Sequence, residues 1–145
     1  MNVATLRAVY QATHYCFRVA EVEHVFHWGE HAPLAVAVLR SLGVRHRWAV
    51  ITPCNPCSEQ LSPAVNEQRL QVFLMELAAH GSHWLPAVNR SPAGTWPDER
   101  GALLCDVAHA EVMALARRYR QRAVLTAALG ARPHLAWTHG VCPSA

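Results

Sequence analysis

Short apolar runs alternate with longer helical stripes along this chain, and proline or glycine stands near most of the junctions between them. That alternation restricts the fold to helices packed on a sheet. RWAVIT at 47–52 is rich in β-branched residues and too short for a stable helix, so it reads as a buried strand. GALLC at 101–105 and RAVLT at 122–126 read the same way, and HLAW at 134–137 is a candidate last strand. In THYCFRV at 13–19 the alternation puts Tyr15, Phe17 and Val19 on one side, the pattern of a half-buried strand. Residues 83–89 form a further candidate, with Pro86 marking an edge or a bulge because it has no N–H for a ladder.

Three helices fit between these strands. Pro33 opens the first, where a missing N–H is harmless, and Ala35, Val38, Leu39 and Leu42 share a face before Gly43 stops it. Ser62-Pro63 is a capping hydroxyl followed by a first-turn proline. Leu70, Phe73, Leu74, Leu77 and Ala78 then make one apolar stripe that ends near Gly81. Asp106 is a candidate cap for a third helix carrying Ala108, Val112, Leu115, Ala116 and Tyr119 on one face. The passage EVEHVFHWGEH gives no clear periodicity. The expectation is a single α+β or α/β domain over residues 1–145, a mixed sheet packed against about three helices.

Composition narrows the function. A chain of 145 residues with 52% hydrophobic content supports one core. No apolar run approaches the roughly 18 residues needed to span a bilayer, and the first residues do not resemble a secretory leader, so a cytoplasmic protein is expected. All 13 basic residues are arginine, which removes P-loop and Schiff-base lysine chemistry. A net charge of +3 is a thin footprint for nucleic acid, so no such partner is expected. A homodimer is left open.

The passage from Ile51 to Leu70 is the most informative. A strand runs through Thr52-Pro53-Cys54-Asn55-Pro56-Cys57-Ser58 into the capped helix, and ligands favour such junctions. Four residues before Leu70 lies Asn66, an amide on the inward face of the first turn. It must find partners: Asn55 or Ser58, a ligand, or the loop backbone, in which case it only pins the loop. Glu99 is the one acid nominated for proton transfer, because burial beside Trp96 would raise its pKa; pairing with Arg69 or Arg100 is the structural alternative.

The stretch WAVITPCNPCSEQLSPAVNEQRLQVFLMEL resembles a bacterial family, domain of unknown function 3293, with its Ile-Thr strand end, Asn-Pro pair, downstream Asn and long helix. Trp96-Pro97-Asp98-Glu99 and Tyr119-Arg120-Gln121-Arg122-Ala123 resemble later family segments, so the likeness spans roughly residues 10–126. The resemblance implies no settled activity. It marks Asn55, Asn66, Glu99 and Gln121 as recurring polar positions and leaves Cys54 and Cys57 outside the pattern.

The five cysteines, an odd number without a secretory signal, argue against a disulfide framework. Cys16 and Cys105 read as small buried hydrophobes. Cys54-Asn55-Pro56-Cys57 is a C-x-x-C after a strand, a candidate for thiol-redox chemistry or, with two further ligands, for zinc. His24, His27 and His31 would align only on a helix that Gly29 argues against. Arg117, Arg118, Arg120 and Arg122 suit a helix C-terminus, with an anion or RNA-backbone contact as the alternative.

The leading expectation is therefore a pocket for a polar or anionic small molecule at the strand-to-helix junction. Asn55, Ser58, Asn66, Glu99 and Gln121 would bind the ligand, and Glu99 would act in any hydrolytic or transfer step. The alternatives are a protein-interaction module anchored by Trp28, Trp84 or Trp96, and a thiol-redox or zinc protein through Cys54 and Cys57. No other cofactor is expected.

Overall fold

The computed structural model describes residues 2–143. Seven strands form one sheet in the order β2-β1-β4-β5-β3-β6-β7: β1 His14–Val19, β2 Val22–Phe26, β3 Arg47–Ile51, β4 Trp84–Arg90, β5 Glu99–Cys105, β6 Ala123–Ala128 and β7 His134–Trp137. The α+β class follows from the sheet and its four helices: α1 Val3–Ala12, α2 Pro33–Ser41, α3 Pro63–Ala79 and α4 His109–Arg118. Every strand pairing is antiparallel, whereas a sheet of mixed direction was expected. The reason lies in the long connections. Each helical connection, through α2, α3 or α4, returns the chain in the same direction but past at least one strand position, and the place it skips is taken by a strand running the other way.

Two helices and one hairpin show how local chemistry sets these elements. Ser62 caps α3, its hydroxyl accepting from the Val65 N–H at 3.3 Å, as the Ser-Pro pair requires. Asp106 does not cap α4; Ala108 takes that place without a side-chain bond. The Asp106 carboxylate instead accepts from the Arg45, His46 and Arg47 N–H groups at 2.9, 2.6 and 3.0 Å, fixing the entry to β3. The unassigned EVEHVFHWGEH passage contains β2. Its hairpin turns on Ala20 and Glu21, both at positive φ, without the glycine or asparagine that usually announces such a turn.

The sheet has two dressed faces. On one, α2 packs Ala35, Val36 and Leu39 against Phe17, Phe26, Trp48, Val50, Leu103 and Leu125. On the other, α3 and α4 bring Leu70, Phe73, Leu77, Val112 and Ala116 onto Ala49, Ile51, Ala102 and Leu104. Strand alternation sends neighbouring residues of β3 and β5 to opposite cores. Pro86 lies inside the sheet order rather than at an edge, yet its missing N–H is harmless. The β1–β4 pairing stops at Phe17 and Ala87, one residue short of it.

Helix α1 had no counterpart in the sequence reading. It starts at Asn2, whose side chain accepts from the Thr5 N–H at 2.8 Å, and only Leu6 of its ten residues is buried. Tyr10 packs edge-on against Trp137 at 5.6 Å, and Arg7 lies over the Trp28 ring. No helix among the described residues is long and apolar enough to cross a membrane.

At Gly101 the backbones of β5 and of the end of β3 approach closely. A Cβ built there would lie 2.1 Å from the Ile51 carbonyl oxygen and 2.8 Å from Thr52 Cα. Both contacts are backbone, so no side chain can give way. Gly101→Ala is expected to destabilise the protein by at least about 3 kcal/mol, measured by chemical denaturation. An ordinary folding midpoint in that variant would show that β3 and β5 can separate without loss.

Candidate functional site

The loop after β3 is built around one buried amide. Asn55 adopts the left-handed conformation, at φ 49° and ψ 61°, which asparagine tolerates better than most residues. Its Oδ1 accepts from the Leu61 N–H at 2.9 Å and from Asn66 Nδ2 at 2.8 Å. Its Nδ2 donates to Glu99 Oε2 at 2.7 Å, and its backbone N–H donates to Asn66 Oδ1 at 3.0 Å. The Asn55 side chain thus ties the loop at Leu61, α3 and β5 together. Cys57 and Ser58, in the 3-10 turn Pro56–Ser58, are also left-handed.

The same loop is held from α3 and from the end of α4. Arg69 donates to the Pro53 carbonyl at 2.7 Å and to the Tyr119 carbonyl at 2.9 Å. Gln121 Nε2 donates to the Cys54 and Tyr119 carbonyls at 3.0 and 3.1 Å. Arg122 donates to Ser58 Oγ, the Cys57 carbonyl and the Pro143 carbonyl, each at 3.2 Å. Thr138, only 1% exposed, secures the 121–122 backbone by donating to the Gln121 carbonyl at 2.6 Å.

A cavity of about 470 Å³ lies between α1 and the sheet, on the α2 side of β3 and β6. Leu6, Tyr15, Val50 and Leu125 give it apolar walls. Of the nominated residues, Asn55, Ser58, Glu99 and Gln121 line it and Asn66 does not. Asn66 belongs to α3, which covers the opposite face. Its amide is spent on Asn55 and on the Leu61 carbonyl, 3.4 Å away. The α3 N-terminus is likewise absent from the cavity wall, so the expected pocket at the strand-to-helix junction is displaced to the other face of the sheet.

Glu99 sits where β5 begins and pairs in register with Asn89 of β4. Burial pushes its carboxyl pKa up; hydrogen bonds from Asn55 and Trp96 pull the other way without cancelling that rise. Neither candidate arginine neutralises it. Arg100 pairs with Glu67 at 3.2 Å and Arg69 is spent on carbonyls. Tyr10 shares this environment. Its hydroxyl pKa is raised to about 12, first by burial and then by Glu99, while Arg122 opposes.

Asn89 was missed in the sequence because a polar residue at a strand end is ordinary. Here its Oδ1 is buried and has no hydrogen-bond partner among the described residues. The side chain also lines the cavity, beside Glu99. Tyr10 and Thr138 were missed for a similar reason, and Arg122 was singled out only as one of a basic cluster: each acquires its role from a neighbour distant in the chain.

The cysteines depart from expectation. Cys57 is bonded to Cys142, 85 residues away, with a Cα–Cα distance of 5.5 Å. The fold brings the two together; their spacing carries no signal. The C-x-x-C therefore does not hold two thiols. Cys54 is free and buried, and burial pushes its thiol pKa up, the reverse of an activated thiolate. Among the described residues no group of three or more His, Cys, Asp or Glu side chains is arranged to hold a metal. None of the five tryptophans is fully exposed: Trp48 is in the core, and Trp28, Trp84, Trp96 and Trp137 are half-buried.

Two substitutions test these assignments. Asn66→Ala leaves the Asn55 N–H without its acceptor and is expected to cost about 2 kcal/mol of stability, read by urea denaturation. For Glu99, the raised folded-state pKa means its stabilising share is present below the unfolded carboxyl pKa and lost as pH rises through the folded value. The stability of the natural protein relative to Glu99→Gln is therefore expected to fall as the pH rises above the ordinary glutamate pKa of about 4. A difference that stays flat or rises would place an ionised, stabilised carboxylate at residue 99.

Residues 51–124 match the model of a family described as "Protein of unknown function (DUF3293)". No curated protein and no solved structure matches the chain. The matched span is shorter at its N-terminal end than the resemblance read from residues 10–126. It contains Asn55, Ser58, Asn66, Glu99 and Gln121, together with Asn89 and Arg122, but not α1. Because that match covers just over half of its 145 residues, the chain belongs to the DUF3293 family of proteins of unknown function.

Proposed function

We propose that this protein binds a small polar molecule in the cavity beneath α1, with Asn89 and Glu99 as its hydrogen-bonding edge. The observation that carries the reading is the Asn89 carboxamide. A buried acceptor left without a partner costs roughly 1–3 kcal/mol, and in folded proteins such groups are few. Asn89 Oδ1 has none among the described residues, and it lies in the wall of a cavity large enough for a metabolite. Glu99 stands opposite it in the strand register. On adjacent antiparallel strands, opposed side chains are about 5 Å apart, close enough for one ligand to meet both.

The chemistry of the pair defines the ligand edge. Asn89 offers an acceptor in need of a donor. Glu99, with its pKa raised, offers an O–H when protonated and an acceptor when not. A ligand with neighbouring N–H and C=O groups, as in amides, ureas and lactams, complements both. Asn55 orients the Glu99 carboxyl through the 2.7 Å bond. Where turnover follows binding, in a hydrolytic or transfer step, Glu99 is the group in position to give or take a proton.

Asn89→Leu separates this role from a structural one. Removing an unsatisfied amide from a strand is expected to leave stability unchanged or to raise it by about 1 kcal/mol. The same change should abolish binding of small neutral amides and ureas, followed as saturable shifts of the Tyr15, Asn55 and Gln121 amide resonances. A destabilised Asn89→Leu protein, or binding that survives the substitution, would remove the basis of the proposal.

A further inference from the structure

A second cavity of about 470 Å³ adjoins the first and shares Leu6 and Arg122 with it. Its wall is formed by α1 and by residues 137–143, the segment that the Cys57–Cys142 disulfide ties to the left-handed loop. Arg7 and Arg122 both line it, and His139 adds an imidazole that is charged when protonated. Among the described residues no carboxylate lines this cavity.

Arg122 is an unusual cation. Its guanidinium is half-buried, and its three partners, Ser58 Oγ and the Cys57 and Pro143 carbonyls, are all neutral. None of the ion pairs among the described residues involves it. A guanidinium carries five N–H donors, so those three bonds leave two uncommitted. The partners fix its orientation without balancing its charge, which is the condition under which a charge-assisted contact with an incoming anion is strongest. Arg122 also stands at the boundary of the two cavities, and Tyr10 lies within electrostatic reach of both Arg122 and Glu99.

We infer that the ligand is a small organic anion, a carboxylate or a phosphate ester, whose charged end sits on Arg122 and Arg7 in the second cavity. Its polar body extends past Leu6 to Asn89 and Glu99 in the first. This assignment rests on the proposed binding function and adds the ligand's chemical class. The carboxylate and phosphate share one recognition chemistry, a multidentate oxyanion on a guanidinium fork.

Nuclear magnetic resonance titration of the intact, oxidised protein with inorganic phosphate, and separately with acetate, at constant ionic strength tests the inference. The expected result is a saturable shift of the Arg122 Nε–H signal together with the backbone amides of residues 139–142. Arg122→Gln should weaken that response at least about ten-fold, and the exposed Arg7→Gln by about three-fold. A response to phosphate alone identifies a phosphate ester, and a response to both identifies any small oxyanion; each supports the anion site. Should Arg122→Gln fail to fold, the Arg7→Gln comparison decides. An absent shift, an unchanged affinity in the folded variants, or a non-saturating drift spread over Arg45, Arg117 and the other surface arginines overturns the inference. Asn89→Leu is expected to leave the phosphate response intact. Amide binding lost in Asn89→Leu without any phosphate response would therefore reject the anion site and leave the polar pocket standing.

Discussion

One buried carboxamide, that of Asn55, joins parts of the molecule that nothing else connects so directly. It stops the chain as it leaves β3, accepts from the loop at Leu61, receives Asn66 from α3 and donates to Glu99 on β5. Those contacts cross from one face of the sheet to the other. A group that is 3% exposed and bonded through both its oxygen and its nitrogen stabilises its surroundings, whereas one left without partners would be costly. The orientation of the Glu99 carboxyl, and so the chemistry of the cavity, is inherited from this amide.

The same arrangement divides labour between the two helical layers. Helices α3 and α4 hold the loop from behind, through Asn66, Arg69 and the Tyr119 carbonyl. Helix α1 and the residues around Thr138 form the open side. Polar residues of the matched family segment serve both purposes: Asn66 only supports, while Asn55, Glu99 and Gln121 support and also face the cavity.

Much of the fold was legible in the sequence because its signals are local. Ser62-Pro63, Pro33 with Gly43, and the short β-branched runs each identify an element through the chain's own backbone chemistry. Features that depend on partners far along the chain were not legible. Helix α1 buries a single residue and so lacks an apolar stripe; β2 turns on Ala20-Glu21; Cys57 meets Cys142 across 85 residues. The site shows the same division. Asn55 and Asn66 could be read from one loop and one helix, and their mutual bonding follows from proximity. The unpartnered state of Asn89 and the neutral surroundings of Arg122 exist only once strands and tail are assembled.

The Cys57–Cys142 bond also decides how the molecule would carry mechanical load. Tension applied between the two ends of the chain passes along residues 2–57, crosses the sulfur bridge, and leaves through the last few residues. Everything between, including α3, α4 and the strands from β4 to β7, lies on a closed covalent ring that bears no direct pull. The strands that do bear it are β1, β2 and β3, and β3 is seated between β5 and β6, both of which belong to the ring. In the oxidised protein, stretching therefore draws a central strand out of a sheet whose other half stays tethered. In the reduced protein the same pull can unravel the chain from either end.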